Sequence, residues 1–449
     1  MSARRPVALA VTGLLACGGD APPPADVAIR GVTVLSPADG SRAEDRTVLV
    51  HGDSIVAVVS RAEGDAPEGV VAIDGTGRFL IPGLWDFHTH LSLSDPSAAP
   101  LLVTQGVTGA RDVGGYLERL DSLRARIRSG EIPGPRILRA GPTLNGQSFA
   151  PFQRVIDSPE AARAAVAELD ARGVDFLKTH NQTGREPYFA LLRAAEEAGL
   201  EVVGHVPVTV SPMEACEAGQ ASVEHIVTIF EGTYMAGFDS EIEASRGIGE
   251  WLDEDASALI ECFAHEGTMF VPTLYTYLFR AHRAAMYDDP PEGWEYLTAE
   301  TLAAYRESEL TETDRNPQVI ALRESLVRVG QTLTRRMYEA GVAIGAGTDM
   351  GPPGLVPGFA LHRELELLVE AGLPAHAAIW AAARGPGEGA GAHPLTGRIE
   401  AGAPADLVIL SEDPFAMIGA VRSIEAVVLR GEVLERVELD RILEVLAGR

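Results

Sequence analysis

The sequence is poor in basic residues relative to acidic ones. Its 449 residues include 37 lysines and arginines against 64 aspartates and glutamates, so the formal net charge is −27. A surface with this charge repels nucleic acid and anionic lipid, which excludes both as general binding partners. After its first residues the sequence also lacks any apolar run that is long enough to span a membrane.

The first residues have the pattern of an export signal. Two arginines precede a short apolar run that ends at Cys17, and this run is too short to cross a bilayer. Its Leu-Leu-Ala-Cys ending is similar to a bacterial lipobox, in which Cys17 would be lipidated; an ordinary signal peptide is the alternative. We therefore predict a lipoprotein signal peptide at residues 1–17, a linker at 18–26, and a periplasmic or cell-envelope location with membrane contact only through the lipid anchor.

Cysteine is scarce, with only three residues in the chain. Beyond Cys17, only Cys216 and Cys262 remain. An export route would permit a disulfide, but two cysteines of unknown proximity do not define one, and free cysteine is among the residues most often buried. We therefore expect Cys216 and Cys262 to be buried free thiols.

The two ends of the chain have a similar sequence pattern, which is typical of β-strands. Residues 27–81 and 398–449 contain short apolar strand candidates separated by glycine, aspartate and serine turns. We expect both ends to meet in one small β-sandwich domain. Hydrophobic residues make up 46% of the chain, which is enough for this domain and a larger one.

The middle of the chain, residues 82–397, alternates strands with helices. Eight such alternations are typical of an α/β fold of the (β/α)₈ TIM barrel class, which keeps its active site at the carboxyl ends of the strands. Residues 279–335 exceed the length that a crossover needs and form either a lid or an outer helical layer. The predicted strands are Leu84–His90, Val107–Asp112, Arg136–Ala140, Asp175–Thr179, Val202–His205, Ser222–His225, Met269–Leu274 and Ala343–Gly347.

His88 and His90 give the strongest functional signal. They end the first predicted barrel strand, and residues two apart on a strand share one face. Two imidazoles at the mouth of a barrel supply half of the ligands for a borderline cation such as zinc. This pair therefore predicts a metal site.

Further candidate ligands end later barrel strands. His205 and His225 terminate the fifth and sixth strands; each alone would be read as a structural histidine. Asp349 follows the eighth strand, where a carboxylate can bind metal and take a proton from bound water, although a helix cap is the alternative. Lys178 ends the fourth strand, and a lysine at a barrel mouth must be paired, neutralised or chemically altered.

Three other residues are weaker candidates for substrate contact. His180 lies two residues beyond Lys178 and either lines the pocket or faces solvent. Tyr234, after the sixth strand, either touches substrate or packs. Arg111 could hold a substrate carboxylate, but a buried ion pair with a nearby acid is favoured.

The order His-x-His, Lys, His, His, Asp on a β-flanked barrel resembles the amidohydrolase superfamily, and in particular imidazolonepropionase-like and prolidase-like metal-dependent hydrolases. The likeness covers nearly everything after the linker. It is specific for the superfamily but not for a substrate. The supporting stretches are Val107–Gly115, Gly173–Lys178, Gly402–Val408 and Val427–Gly431.

The resemblance implies two divalent metal ions, expected to be zinc. The implied ligands are His88, His90 and Asp349 for one ion, His205 and His225 for the second, and Lys178, carboxylated by carbon dioxide, as the bridge. A hydroxide that also bridges the ions would attack the amide carbonyl. Asp349 would then carry the proton to the leaving amine, which is chemically consistent because paired cations lower the pKa of water and polarise the carbonyl.

The chain departs from the dipeptidase pattern in two places. Residues 141–148 lack the histidine of the Gly-Gly-His segment that such enzymes tend to carry, and residues 379–384 lack an Ala-Thr pair. The first departure puts a dipeptide substrate in doubt but leaves the metal chemistry in place.

The leading hypothesis is a metal-dependent amidohydrolase that cleaves an amide-like C–N bond in a small molecule, either a dipeptide or an N-acyl amino acid. One alternative is a mononuclear cyclic-amide hydrolase or deaminase that uses His88, His90, His205 and Asp349 with Lys178 unmodified. Another is a surface lipoprotein that binds metal or ligand without turnover. The presence of Asp349 argues against this second alternative. A homo-oligomer is compatible with any of these.

Overall fold

The computed structural model describes residues 24–62, 69–231, 251–252, 256–307, 312–351, 354–384 and 393–448. The predictions for the signal peptide, for lipidation at Cys17 and for Tyr234 concern residues outside these ranges. None of the helices within the ranges is both long enough and apolar enough to cross a membrane.

Strands from both ends of the described chain join in one sheet. These strands are β1 Val27–Leu35, β2 Arg42–His51, β3 Ser54–Ser60, β4 Val71–Asp74, β5 Phe79–Pro82, β15 Leu407–Leu410, β16 Ile424–Leu429 and β17 Glu432–Glu435. Their order is β17-β16-β15-β5-β1-β2-β3, with β4 beside β1. The two ends therefore meet, as their similar sequence patterns indicated. The domain boundaries stay a prediction.

This terminal sheet has a hydrophobic core of its own. Ile29 and Val48 from the first strands pack in one buried cluster with Leu407 and Val428 from the last strands. Gly31 lies within β1 at φ 69°, where the register with β2 shifts. A glycine accepts this left-handed conformation without steric cost, so the strand continues past this residue as one bulged strand.

The middle of the chain supplies the parallel strands of the barrel. They are β6 Leu84–Thr89, β7 Val107–Asp112, β8 Arg136–Arg139, β11 Leu177–Thr179, β12 Val202–Gly204, β13 Ser222–Glu224 and β14 Met269–Val271, with the short strands β9 Thr143–Asn145 and β10 Gln153–Val155 beside β11. The sequence did not predict β9 and β10. The two sheets have the orders β6-β7-β8 and β10-β9-β11-β12-β13-β14.

Residues 343–350 lie where the eighth barrel strand is predicted. They form parallel bridges to the last strand, between Ile344 and Phe270, and to the first strand, between Met350 and Thr89. These bridges are isolated, so the segment does not form a regular strand. The described residues thus have the predicted α/β architecture, a TIM barrel with an additional β domain.

Helices cover the outside of the barrel. They are α1 Ala98–Thr104, α2 Leu117–Arg128, α3 Pro159–Ala171, α4 Arg185–Ala198, α5 Pro212–Glu217, α6 Thr228–Glu231, α7 Ala256–Glu266, α8 Leu274–Asp288, α9 Ala299–Glu307, α10 Pro317–Glu339, α11 Phe359–Glu370, α12 Ala375–Ala383 and α13 Arg436–Ala447. Helix α13 was not predicted. Helix α8 packs against α10 and α11, so much of the long segment at 279–335 forms an outer helical layer.

The expectation that Cys216 and Cys262 are free thiols was wrong. The two residues form a disulfide, with their Cα atoms 6.4 Å apart. Cys216 lies on α5 and Cys262 on α7, which follow neighbouring barrel strands and pack side by side. Residues 46 positions apart in the sequence therefore meet. A disulfide is compatible with the predicted export, which stays a prediction.

Removal of this disulfide is expected to destabilise the protein by about 3 kcal/mol, because the crosslink restricts the unfolded chain across a long loop. The measurement is the denaturant midpoint of the oxidised protein, the reduced protein and the Cys216→Ala/Cys262→Ala variant. Alanine avoids burying a hydroxyl group at Cys216, which is fully buried. The variant should match the reduced protein and should not respond to reductant. Equal midpoints for oxidised and reduced protein would contradict the prediction.

Candidate metal centre

Three of the predicted ligands form a compact buried group. His88, His225 and Asp349 each offer one ligand atom, and these atoms lie within 4.8 Å of one another. Asp349 Oδ1 is 3.3 Å from His88 Nε2 and also 3.3 Å from His90 Nε2. Two atoms bound to one tetrahedral zinc ion at about 2.1 Å each lie about 3.4 Å apart, so these spacings suit a shared metal ion.

The other predicted ligands lie beside this group. The ring of His205 is 4.8 Å from the ring of His225, measured between centroids. A cavity of about 420 Å³ is lined by His90, Lys178, His205, His225 and Asp349. The residues that end separate barrel strands in the sequence are thus brought together at one end of the barrel.

The four strand-end histidines share one arrangement. Each has a protein partner at its Nδ1 atom, so each leaves its Nε2 atom for the interior of the site. The pairs are His88 with Glu224 at 2.8 Å, His90 with the Gly114 carbonyl at 2.6 Å, His225 with Thr273 at 2.8 Å, and His205 with Asn181. A carbonyl oxygen only accepts, so Nδ1 of His90 carries its proton and its Nε2 keeps a lone pair.

Two buried nitrogen atoms of the predicted metal ligands have no hydrogen-bond partner among the described residues. They are His88 Nε2 and Lys178 Nζ. Burial lowers the pKa of Lys178 to about 8, against the charge of Glu224, which raises it. Buried polar atoms without partners are rare in proteins, and here both face a group of potential metal ligands. The donor set therefore fits divalent metal ions.

Backbone strain is concentrated at the site. Among the described residues, five non-glycine residues have positive φ, and three of these are His225, Thr273 and Asp349, at 70°, 50° and 57°. Such conformations cost free energy and persist where surrounding contacts enforce them. At the site they follow the strand ends, where the chain turns and leaves the side chains at the barrel mouth.

Arg111 belongs to a buried ion pair, as its sequence context favoured. Its guanidinium contacts Glu224 at 2.6 Å and also donates to Ser222 and to the Phe87 carbonyl. Burial alone would raise the pKa of Glu224, but the Arg111 charge and the hydrogen bond to His88 hold it well below its usual range. Glu224 therefore stays ionised and fixes His88, while Arg111 is not available to bind substrate.

His180 lines the cavity but lacks the arrangement that the four histidines share. Its Nδ1 atom is buried without a partner among the described residues, and its ring stacks on His205 with centroids 4.3 Å apart. Burial, with the charge of Lys178, lowers its pKa to about 4. A neutral ring in the cavity wall suits the predicted substrate contact, which stays a prediction.

Several residues that support the site were not singled out in the sequence. Thr273 and Asn181 each hold one histidine ring, and Glu224 holds another. Asp86 accepts from the backbone and hydroxyl of Thr348, at 3.0 and 2.6 Å, and so ties the first barrel strand to the segment that carries Asp349. The sequence offered one local signal, because Glu224 immediately precedes a strand-end histidine.

Comparison with known proteins decides the family. The sequence model of the Amidohydrolase family matches residues 79–434. The chain belongs to the amidohydrolase family. This agrees with the resemblance stated from the motifs. The amidohydrolase is an enzyme that hydrolyses carbon–nitrogen bonds of small molecules, in a family that is generally metal-dependent.

Individual relatives of this amidohydrolase cover almost its whole length. An ochratoxinase of Aspergillus niger is 26% identical over an alignment of 470 residues, gaps included. The alignment covers 90% of this chain and 85% of the relative. The structure of a putative prolidase from Bifidobacterium longum is 25% identical, with a TM-score of 0.69 over 94% of this chain and 98% of the other. A bottromycin amidohydrolase reaches a TM-score of 0.76 at 23% identity, over 94% of this chain and 89% of the other, and shows the fold.

Proposed function

We propose that this amidohydrolase uses two metal ions to cleave an amide-like C–N bond in a dipeptide or an N-acyl amino acid. The observation that carries the proposal is the shared arrangement of the four strand-end histidines, which leave their Nε2 atoms for one interior beside Asp349 and Lys178. In the proposed set, His88, His90 and Asp349 hold one ion and His205 and His225 hold the other. Imidazole and carboxylate donors of this kind suit zinc.

Carboxylated Lys178 is the proposed bridge between the ions. Its side chain is almost fully buried, and its Nζ atom has no hydrogen-bond partner among the described residues. It is also the only lysine of the chain, since every other member of its 37 lysines and arginines is an arginine. An arginine cannot replace it in this role, because a guanidinium does not release its proton in a protein, whereas a buried amine does.

The remaining chemistry falls to Asp349. When bound, the metal ions would lower the pKa of water toward ~7 and polarise the scissile carbonyl. Asp349 adjoins the Nε2 atoms of both His88 and His90, so its carboxylate is positioned to accept a proton and pass it to the leaving amine. These side chains are buried away from water, which strengthens the electrostatic interactions between them and a reacting group.

The substrate class rests on the relatives and on the cavity. The named activities among the relatives are those of an ochratoxinase and a putative prolidase. A cavity of about 420 Å³ lies in the range of small-molecule sites. Thr143, which lines the cavity, belongs to residues 141–148, where the histidine typical of the dipeptidases is missing. The proposal therefore includes N-acyl amino acids as well as dipeptides.

Replacing Lys178 by alanine is expected to lower the metal content from two equivalents per chain to one or fewer, measured by elemental analysis. Because Lys178 is the only lysine, ¹³C-labelled bicarbonate should give one carbamate resonance in the metal-loaded protein beyond any signal of the terminal amine. That resonance should be absent from the variant.

His180→Ala is the matched control for Lys178→Ala, because it alters the same cavity without removing a proposed ligand and should keep both ions. One equivalent in the parent protein, unchanged by Lys178→Ala, would contradict the bridge and favour the mononuclear alternative. The substrate proposal fails if dipeptides and N-acyl amino acids show no metal-dependent turnover while cyclic amides do.

A further inference from the structure

Arg280 lines the cavity of the site, on the helix that follows the last regular barrel strand. It lies on α8, and its side chain is exposed. Its guanidinium carbon lies 5.9 Å from the centroid of the Tyr277 ring, one turn earlier on the helix, which is within the range of a cation–π contact. The backbone at this position is held as well, because Arg323 donates to the Arg280 carbonyl at 2.9 Å.

The charge of Arg280 is not neutralised by the described part of the chain. Arg283, one turn later on α8, and Arg323 both face Asp314, at 3.8 and 3.0 Å. No described carboxylate lies within ion-pair distance of the Arg280 guanidinium. In a chain of net charge −27, a cation that lies at a cavity without a counter-charge among the described residues can bind an anion from outside.

The other residues that line the cavity also leave Arg280 able to bind an anion. Among the described lining residues, Arg280 is the only arginine and Asp349 the only carboxylate, and Asp349 belongs to the proposed metal centre. The polar residues Gln153 and Asn181 also line the cavity and carry no charge. An anionic substrate that approaches this acidic protein is repelled over long range. Apart from the proposed metal ions and their ligand Lys178, Arg280 is the one cation among the described lining residues that can hold it.

We propose that Arg280 binds the carboxylate of the substrate, so that the enzyme acts on amides whose amine-derived part is an amino acid with a free carboxylate. This inference rests on the proposed function and names the residue that holds the free carboxylate of its substrates. A guanidinium forms two parallel hydrogen bonds with a carboxylate, which fixes the direction of the group as well as its position. The scissile carbonyl is then placed toward Lys178 and Asp349 in the same cavity.

Matched pairs of substrates test this role in the metal-loaded protein. The probes are N-acetyl amino acids with small, aromatic and basic side chains, each beside its carboxamide. Arg280→Met is expected to raise KM for the carboxylates about 10- to 100-fold with little change in kcat, and to leave the carboxamides almost unchanged. Arg280→Lys should restore part of the loss, because it keeps the charge without the planar fork.

Arg283→Met is the matched control, since it removes an arginine from the same helix at a residue that does not line the cavity. It should leave the preference for carboxylates intact. An equal loss for carboxylates and carboxamides in Arg280→Met, or no loss for either, would overturn the proposal.

Calorimetric titration separates this inference from the proposed function. It is done in an Asp349→Asn background, which slows turnover, with the same N-acetyl amino acids and carboxamides. Carboxylates should bind at least ten times more tightly than carboxamides, and Arg280→Met should remove the difference. If carboxylates bind through Arg280 but the parent enzyme hydrolyses none of them, the proposed function fails and this inference stands. If no carboxylate binds, or if the preference survives Arg280→Met, the inference fails.

Discussion

Changing Glu224 to glutamine is expected to lower the free energy of unfolding by about 3–5 kcal/mol. Glu224 is fully buried, and its partner Arg111 is 2% exposed. The variant would leave the Arg111 guanidinium as a buried cation without a counter-charge, which is the costly way to break an internal ion pair. The measurement is denaturant unfolding of both proteins, with the slope checked for a change in the unfolded state.

The same change should also weaken metal binding about 10- to 100-fold. Glu224 holds the Nδ1 atom of His88 at 2.8 Å, and partners of this kind orient a ligating imidazole and raise its basicity. Competition with a chelator measures the loss. Metal affinity and stability can therefore be separated, since the stability effect should persist in the metal-free protein.

The double variant Arg111→Met/Glu224→Gln is the control for the charge argument. Removal of both charges should recover a large part of the stability lost in Glu224→Gln alone, because a buried pair replaced by uncharged groups often costs little. It should not recover metal affinity, since His88 still lacks its carboxylate. A double variant no more stable than the single one would contradict the assignment of the loss to an unpaired cation.

The positions of the candidate ligands could be predicted because strand geometry and barrel topology are local rules. His88 and His90 share a face two residues apart, and the other ligands lie at the ends of later strands or just beyond them. Parallel strands bring such ends together without any knowledge of packing. The prediction therefore needed only the strand boundaries, which the apolar runs indicated to within a few residues.

The partners of the ligands could not be predicted in the same way. Thr273 bonds His225 from 48 residues away, at the end of the neighbouring barrel strand, and its own backbone is left-handed. The disulfide has the same origin, since Cys216 and Cys262 meet only when two outer helices pack. Contacts of this kind depend on how the elements are placed in space, which the spacing of residues in the sequence does not encode.

Composition held one signal that motif spacing alone does not reveal. The chain contains a single lysine, Lys178, and all its remaining Lys and Arg residues are arginines. This lysine is buried at the mouth of the barrel. The proposed carboxylation of Lys178 would account for this exception, because it needs a neutral amine and a guanidinium remains charged.

Asp349→Asn is expected to lower kcat about 10²- to 10⁴-fold, the usual contribution of a positioned acid–base group. Asparagine keeps an oxygen that can face His88 and His90, but an amide does not accept and release the proton that the leaving amine requires. The backbone is not an alternative cause of the loss. Asp349 has a φ of 57°, and asparagine tolerates this left-handed conformation at least as well as aspartate does.

The measurement is kcat and KM for the best substrate found, together with the metal content of the parent protein and of the variant. The variant should unfold at nearly the same denaturant concentration as the parent protein. Asp349→Glu serves as the control for charge, since it keeps a carboxylate on a longer side chain and should retain more activity than the amide. If Asp349→Asn binds metal fully and kcat falls by less than about tenfold, the proton passes through another group, and His180, which lines the same cavity, becomes the residue to replace.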